Sequence, residues 1–129
     1  MRHALTIFAV EDLQGMRRFY ERACGWTVTV EVPVYVEFAL PHAMRFGLYL
    51  RSGYALQVGG EPQPRAPGTP GRAELYLTVE PSAFSAALQR VRQAGGRELS
   101  PPARRDWGDE VAYFADPEDN VLAVARPAV

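Results

Sequence analysis

The chain repeats its own plan. Leu5-Thr6-Ile7-Phe8-Ala9-Val10-Glu11 leads into a helical stretch that closes at Gly25. Glu74-Leu75-Tyr76-Leu77-Thr78-Val79-Glu80 leads into another that closes at Gly95-Gly96. Each unit then continues into strand-like segments. An internal repeat constrains the architecture more than any single element, because one supersecondary unit must bury its apolar face against another. Two related halves also tend to meet along a shared cleft, where a site can lie.

The first unit reads as strand, helix and three strands. Ala4 to Val10 is apolar at nearly every position, which predicts a strand covered on both faces. Asp12 is the expected N-cap of a helix whose Leu13, Met16, Tyr20 and Ala23 share one face, with Gly25 just past its end. Trp26 to Val30 alternates and is rich in β-branched residues, as strands are. Val34 to Leu40 and Arg45 to Arg51 are the next two strands, joined by a turn at Pro41-His42-Ala43. In the last of them Arg45, Gly47, Tyr49 and Arg51 share one face.

Residues 52–72 carry four prolines and five glycines between Gly53 and Gly71. This composition predicts a connector with little regular structure, either a plain surface linker or a lid or swapping hinge. The second unit, 73–129, follows the first. Glu74 to Val79 is a strand, and Pro81 suits the first helical position. Phe84, Leu88 and Val91 mark an apolar helical face. Arg97 to Leu99 is a short strand stopped by Pro101-Pro102. Glu110 to Phe114 and Val121 to Ala125 form a hairpin. The expected class is therefore α+β, with modules 1–51 and 73–129 each reading βαβββ in one domain.

At 129 residues the chain is long enough for one domain with a real core. Its formal net charge of -1 offers no basic excess for phosphates, so nucleic acid is not an expected partner. The apolar run at Ala4 to Val10 is too short to span a bilayer or to serve as a signal segment. Cys24 is the single cysteine, which leaves no intrachain disulfide and fits a cytoplasmic location. Its plain reading is a small packing residue at a helix end.

Val10-Glu11-Asp12-Leu13, Phe19-Tyr20 and Gly25-Trp26 resemble the opening signature of the vicinal oxygen chelate superfamily. That group includes glyoxalase I, bleomycin and fosfomycin resistance proteins and extradiol dioxygenases. Trp107-Gly108, Tyr113-Phe114-Ala115-Asp116-Pro117 and Asn120 resemble its closing segment. The resemblance spans nearly the whole chain outside the connector. It implies paired βαβββ modules whose curved, mixed sheets enclose a cleft, and in many small members a homodimer. Family members usually carry glycine where Asp119 stands, a position that suits positive φ.

The same resemblance locates the family's metal ligands at Leu5, at Gly47 (Leu48 or Tyr49 if the register slips), at Glu74 and at Ala123. Three of these side chains have no donor atom, and one carboxylate cannot hold a divalent ion. His3 shares the face of Leu5 but stands ~6.8 Å along the strand, at the rim. His42 lies in a turn on the far side of a hairpin. No metal and no cofactor are therefore expected.

The expected cleft is lined by Leu5, Ile7, Arg45, Tyr49, Glu74, Tyr76 and Ala123, with Trp107 beside its mouth. Such an apolar and aromatic lining with a few polar groups is usual for a small-molecule site. Glu74 is either half of a buried ion pair with Arg45, or a ligand anchor or general base. Trp107 and Tyr49 are either packing aromatics or stacking surfaces for a planar ligand. The first functional expectation is a metal-free protein that binds or sequesters a small, partly aromatic ligand. The alternative is a lyase, isomerase or dioxygenase of the same superfamily. It would be metal-free with Glu74 as catalytic base, or would use a divalent metal at a non-standard site.

Overall fold

The computed structural model describes residues 1–127. In the first half β1 (Thr6–Val10) runs into α1 (Leu13–Cys24), followed by β2 (Thr27–Val32), β3 (Tyr35–Ala39) and β4 (Arg45–Leu50). A further helix, α2 (Arg51–Val58), precedes the second half. That half consists of β5 (Glu74–Thr78), α3 (Phe84–Ala94), β6 (Arg97–Arg104), β7 (Glu110–Ala115) and β8 (Val121–Arg126). The two four-stranded sheets have the orders β1-β4-β3-β2 and β5-β8-β7-β6. In each, the first strand runs parallel to the last, and the other pairs are antiparallel. The repeat thus folds as two βαβββ modules with mixed sheets, an α+β architecture.

The helix boundaries follow the local chemistry. The Asp12 carboxylate accepts a hydrogen bond from the Gly15 amide at 2.9 Å, satisfying one orphan donor of the first turn. Gly25 closes α1 at φ 68°, and Gly95 closes α3 at φ 107°. Asp119 also takes the left-handed region, at φ 65°.

Three expectations need correction. The connector is not irregular throughout, because its first residues continue from β4 into α2. The stretch Arg51 to Val58 holds no proline, and the dense Pro and Gly run begins only at Gly59, which ends the helix at φ 82°. The strand expected to stop before Pro101-Pro102 runs through them to Arg104. It is the outer strand of its sheet and carries register shifts on either side of Ser100, so the missing amides cost few ladder bonds. Finally, β1 is not covered on both faces, since Ile7 is 38% exposed.

The helices join the halves. α1 packs against α3, and one core cluster includes Phe19 and Tyr20 of α1, Phe84 and Leu88 of α3, Phe38 and Phe46 of the first sheet and Phe114 and Leu122 of the second. Burying each such side chain is worth about 1.5–3 kcal/mol, so this shared core holds the modules together. Polar contacts fix their register. The Tyr20 hydroxyl donates to Asp116 Oδ2 at 2.6 Å. Glu118, in the β7–β8 turn, accepts from the Glu11 amide at 2.9 Å and the Asp12 amide at 2.8 Å, at the start of α1. A negative group is favoured there by the unpaired amides and the helix dipole. Among the described residues no helix is long and apolar enough to cross a membrane.

Candidate functional site

Strand alternation gives each sheet one face on the core and one open face. In the first sheet, register places Val30, Glu37, Gly47 and Ile7 in one row of the open face, and Val32, Tyr35, Tyr49 and Ala9 in the next. In the second, Tyr76, Ala123 and Tyr113 form one row, and Thr78, Ala125 and Val111 another.

Glu37 is the charged centre of the first open face. It is only 8% exposed. Its carboxylate accepts from the Tyr35 hydroxyl at 2.6 Å and from Arg45 Nη1 at 3.3 Å. Burial, with Glu37 next to it, raises the Tyr35 hydroxyl well above its ordinary range. Gly47 makes this arrangement possible. A Cβ there would lie 2.8 Å from Tyr35 Cε1, so the missing side chain is the space the tyrosine ring uses. At the far end, Tyr49 packs edge-on to Tyr35 at 5.3 Å and to Tyr54 of α2 at 6.0 Å. Gly53 lets α2 approach this ring, because an added Cβ would meet Tyr49 Cε1 at 2.8 Å.

The second open face carries a hydrogen-bonded chain. Trp107 Nε1 donates to the Tyr76 hydroxyl at 2.8 Å, and that hydroxyl donates to Asp109 Oδ2 at 2.7 Å. Burial is the main cause of the raised Tyr76 pKa; Asp109 adds to it and the Trp107 bond opposes it. Trp107 remains 58% exposed, so the indole is held by its edge with its ring free. Nearby, the Arg105 guanidinium stacks over the Tyr113 ring at 5.1 Å. Its Nη2 donates to Ser100 Oγ at 3.0 Å and to the Val111 carbonyl at 2.9 Å, while its buried Nε has no hydrogen-bond partner among the described residues. Val111, Ala123 and Ala125 form a small apolar floor with Tyr113.

The residues expected from sequence are distributed over these faces. Tyr76 and Trp107 are in direct contact. Arg45, Glu74 and Tyr76 line one groove between the modules. The expected Arg45–Glu74 pair is not formed. Arg45 turns to Glu37, which stands beside it on the neighbouring strand, and Glu74 is exposed, with no ion pair or hydrogen-bond partner among the described residues. Ile7 is open to solvent, Leu5 stands half-buried just ahead of β1, Tyr49 is partly covered by α2, and Ala123 is floor. His42 is not remote: its turn borders the groove that Glu74 lines. Sequence reasoning missed Glu37, Tyr35, Asp109, Arg105 and Tyr113. One signal was available, since an acid at Glu37 interrupts the apolar run Val34 to Leu40.

The donor set does not fit the metal that the family resemblance implies. Leu5, Gly47 and Ala123 have no ligating atom, and Gly47 is occupied by the Tyr35 ring. Among the described residues no group of three or more His, Cys, Asp or Glu side chains could hold an ion.

Comparison with known proteins bears on this arrangement. The profile of the Glyoxalase/Bleomycin resistance protein/Dioxygenase superfamily matches residues 2–124. The candidate glyoxylase CFP32 of Mycobacterium bovis is 32% identical over 79 residues, which is 61% of this chain but 29% of that protein. The matched stretch therefore spans less than one third of that relative. A glyoxalase-related enzyme from Fulvimarina pelagi superposes with a TM-score of 0.85 at 22% identity, over 98% of this chain and 88% of that one. The fosfomycin resistance protein FosX of Mesorhizobium loti superposes with a TM-score of 0.71 at 16% identity, over 99% and 93%. At these identities the structural likeness speaks for the fold.

Proposed function

We propose that this chain, which belongs to the glyoxalase/bleomycin resistance protein/dioxygenase superfamily, is a metal-independent binding protein for a small, partly aromatic molecule. The observation that carries this reading is the Trp107–Tyr76–Asp109 chain. It fixes an exposed indole on the open face of the second sheet, next to an apolar floor, so stacking a planar ligand there costs little side-chain ordering. The lack of metal donors at Leu5, Gly47 and Ala123 supports the same reading. Glu74 and Asp109 add negative charge, which favours a ligand with cationic character.

The test is a thermal-shift screen of planar cationic and neutral aromatics, joined to metal analysis of protein purified without chelator. The expected result is stabilisation by planar cations, weakened severalfold by Glu74→Gln and lost in Trp107→Ala. Near-stoichiometric zinc, nickel, iron or manganese would overturn the proposal, as would a screen without any shift.

A second reading is favoured by the position of Glu74 itself, exposed, without a partner among the described residues, and two residues from Tyr76 on one face of β5. There a carboxylate could take a proton α to a carbonyl while a polarised hydroxyl steadies the enolate. Solvent-deuterium exchange into small carbonyl compounds, abolished by Glu74→Gln, is the outcome that would favour it.

A further inference from the structure

The duplication is unequal at one seam. Ala115-Asp116-Pro117-Glu118-Asp119-Asn120, joining β7 to β8, corresponds to Ala39-Leu40-Pro41-His42-Ala43-Met44, joining β3 to β4. The two turns share a left-handed residue at the same place, Asp119 at φ 65° and Ala43 at φ 60°. Their side chains differ. Asp116 receives the Tyr20 hydroxyl, and Glu118 binds the amides at the start of α1, so this seam is stitched shut. The matching residues of the other turn are Leu40 and His42. Among the described residues, no side-chain hydrogen bond or ion pair joins that turn to β5 or α3.

The second seam stays open as a groove of about 550 Å³. Small-ligand sites usually measure roughly 300–1,000 Å³. β5 forms one wall because it is the outer strand of its sheet. Its Leu75 and Leu77 face α3, and with Trp26, Leu40, Met44 and Val91 they make the groove largely apolar. One cation borders it without a counterpart. Arg90 of α3 lines the groove, is exposed, and makes no ion pair or hydrogen bond among the described residues. Glu74 also borders the groove, but it alternates with Tyr76 and Thr78 onto the other side of β5 from Leu75 and Leu77 and forms no ion pair with Arg90 among the described residues.

An apolar channel beside an unpaired guanidinium complements one kind of molecule. The planar fork of arginine grips a carboxylate through two parallel hydrogen bonds, and the channel takes an apolar body out of water. We propose that the α3 side of this groove is a second ligand site, distinct from the Trp107 face although Glu74 and Tyr76 border both, for an amphipathic carboxylic acid. The carboxylate sits on Arg90, and the alkyl or aryl body lies between β5 and the β3–β4 turn.

Calorimetric titration of the full chain with decanoate, below its micelle concentration, tests the assignment. The expected result is saturable binding of one equivalent. Arg90→Gln should weaken it about ten- to hundredfold, as loss of a charge-assisted contact does. Arg92→Gln removes the same charge from α3, at a residue that instead pairs with Glu98, and should leave decanoate affinity unchanged. Met44→Trp, at a half-exposed position on the groove, should abolish binding while near-UV circular dichroism shows a folded protein. The proposal is overturned by absence of saturable binding up to millimolar decanoate. It is equally overturned if decylamine binds as tightly, if Arg90→Gln and Arg92→Gln act alike, or if a folded Met44→Trp still binds.

Discussion

Replacing Tyr20 by phenylalanine removes one oxygen from the centre of the contact between the modules. The ring is fully buried, and its hydroxyl donates at 2.6 Å to Asp116, which is 3% exposed. Asp116 keeps other donors: the Glu118 amide at 2.9 Å, the Asn120 amide at 3.0 Å and Asn120 Nδ2 at 2.9 Å to the same oxygen that Tyr20 serves. The carboxylate is therefore not orphaned, and the loss is that of one hydrogen bond to a charged acceptor, about 1.5–3 kcal/mol. Unfolding entropy near 2.1 cal/mol/K per residue gives roughly 270 cal/mol/K for a chain of this length, so a 2 kcal/mol loss lowers Tm by about 7 °C. The other half of the molecule supplies a further control. The buried spacing Met16, Phe19, Tyr20 and Ala23 in α1 matches Phe84, Ala87, Leu88 and Val91 in α3. The pair corresponding to Tyr20 and Asp116 is then Leu88 and Leu40, both packed in the shared core. The double variant Tyr20→Leu/Asp116→Leu should accordingly cost less than the sum of its single variants, because the Tyr20–Asp116 hydrogen bond is counted in both single losses but can be lost only once. Urea and thermal unfolding followed by circular dichroism measure the natural protein and all four variants. A Tm loss below about 2 °C for Tyr20→Phe, or strict additivity in the double variant, refutes the reasoning.

Two further outcomes follow from buried titratable groups. Burial, partly opposed by the bonds from Tyr20 and Asn120, holds the Asp116 carboxyl above its ordinary range. A raised folded pKa contributes stability that is complete below the unfolded value, about 3.9, and is lost as pH rises through the folded value. The stability advantage of the natural protein over Asp116→Asn should thus shrink from pH 3.5 to pH 7 in urea titrations, and a widening gap contradicts it. Burial also pushes the Cys24 thiol up to about 12, against the opposing charge of Arg90. Alkylation by iodoacetamide at pH 8 should run about a thousandfold slower than for an ordinary thiol, whose pKa lies near 8.5. Labelling within tenfold of free cysteine would show the thiol is not so protected.

The legible parts were those where a local pattern and the tertiary context agree. Asp12 and Gly25 bracket α1 because capping chemistry is satisfied within a few residues, and Asp119 takes a conformation that its turn demands. Alternation in Tyr76 to Thr78 assigned faces correctly because period two is a property of the strand itself. The donor-free residues at Leu5, Gly47 and Ala123 were equally readable, since the lack of a ligating atom needs no geometry. Where an element depends on its neighbours, the local pattern misled. Pro101-Pro102 fit a strand only because that strand lies at a sheet edge, and Arg51 to Val58 become a helix where Gly53 can slide under the ring of Tyr49.

Sequence alone determined the duplicated α+β plan and the ends of α1, because repeats and capping chemistry are local quantities. Tertiary structure decided the partners of the charges. Arg45 faces Glu37 rather than Glu74 because β3 lies beside β4, whereas β5 belongs to the other sheet. Tyr76 gains Trp107 and Asp109 because the β6–β7 loop returns over its strand. One seam is closed and its twin left open because Tyr20 meets Asp116 at the first, while the matching residues at the second are apolar. Contacts between residues far apart in the chain depend on three-dimensional register, and no local spacing encodes it.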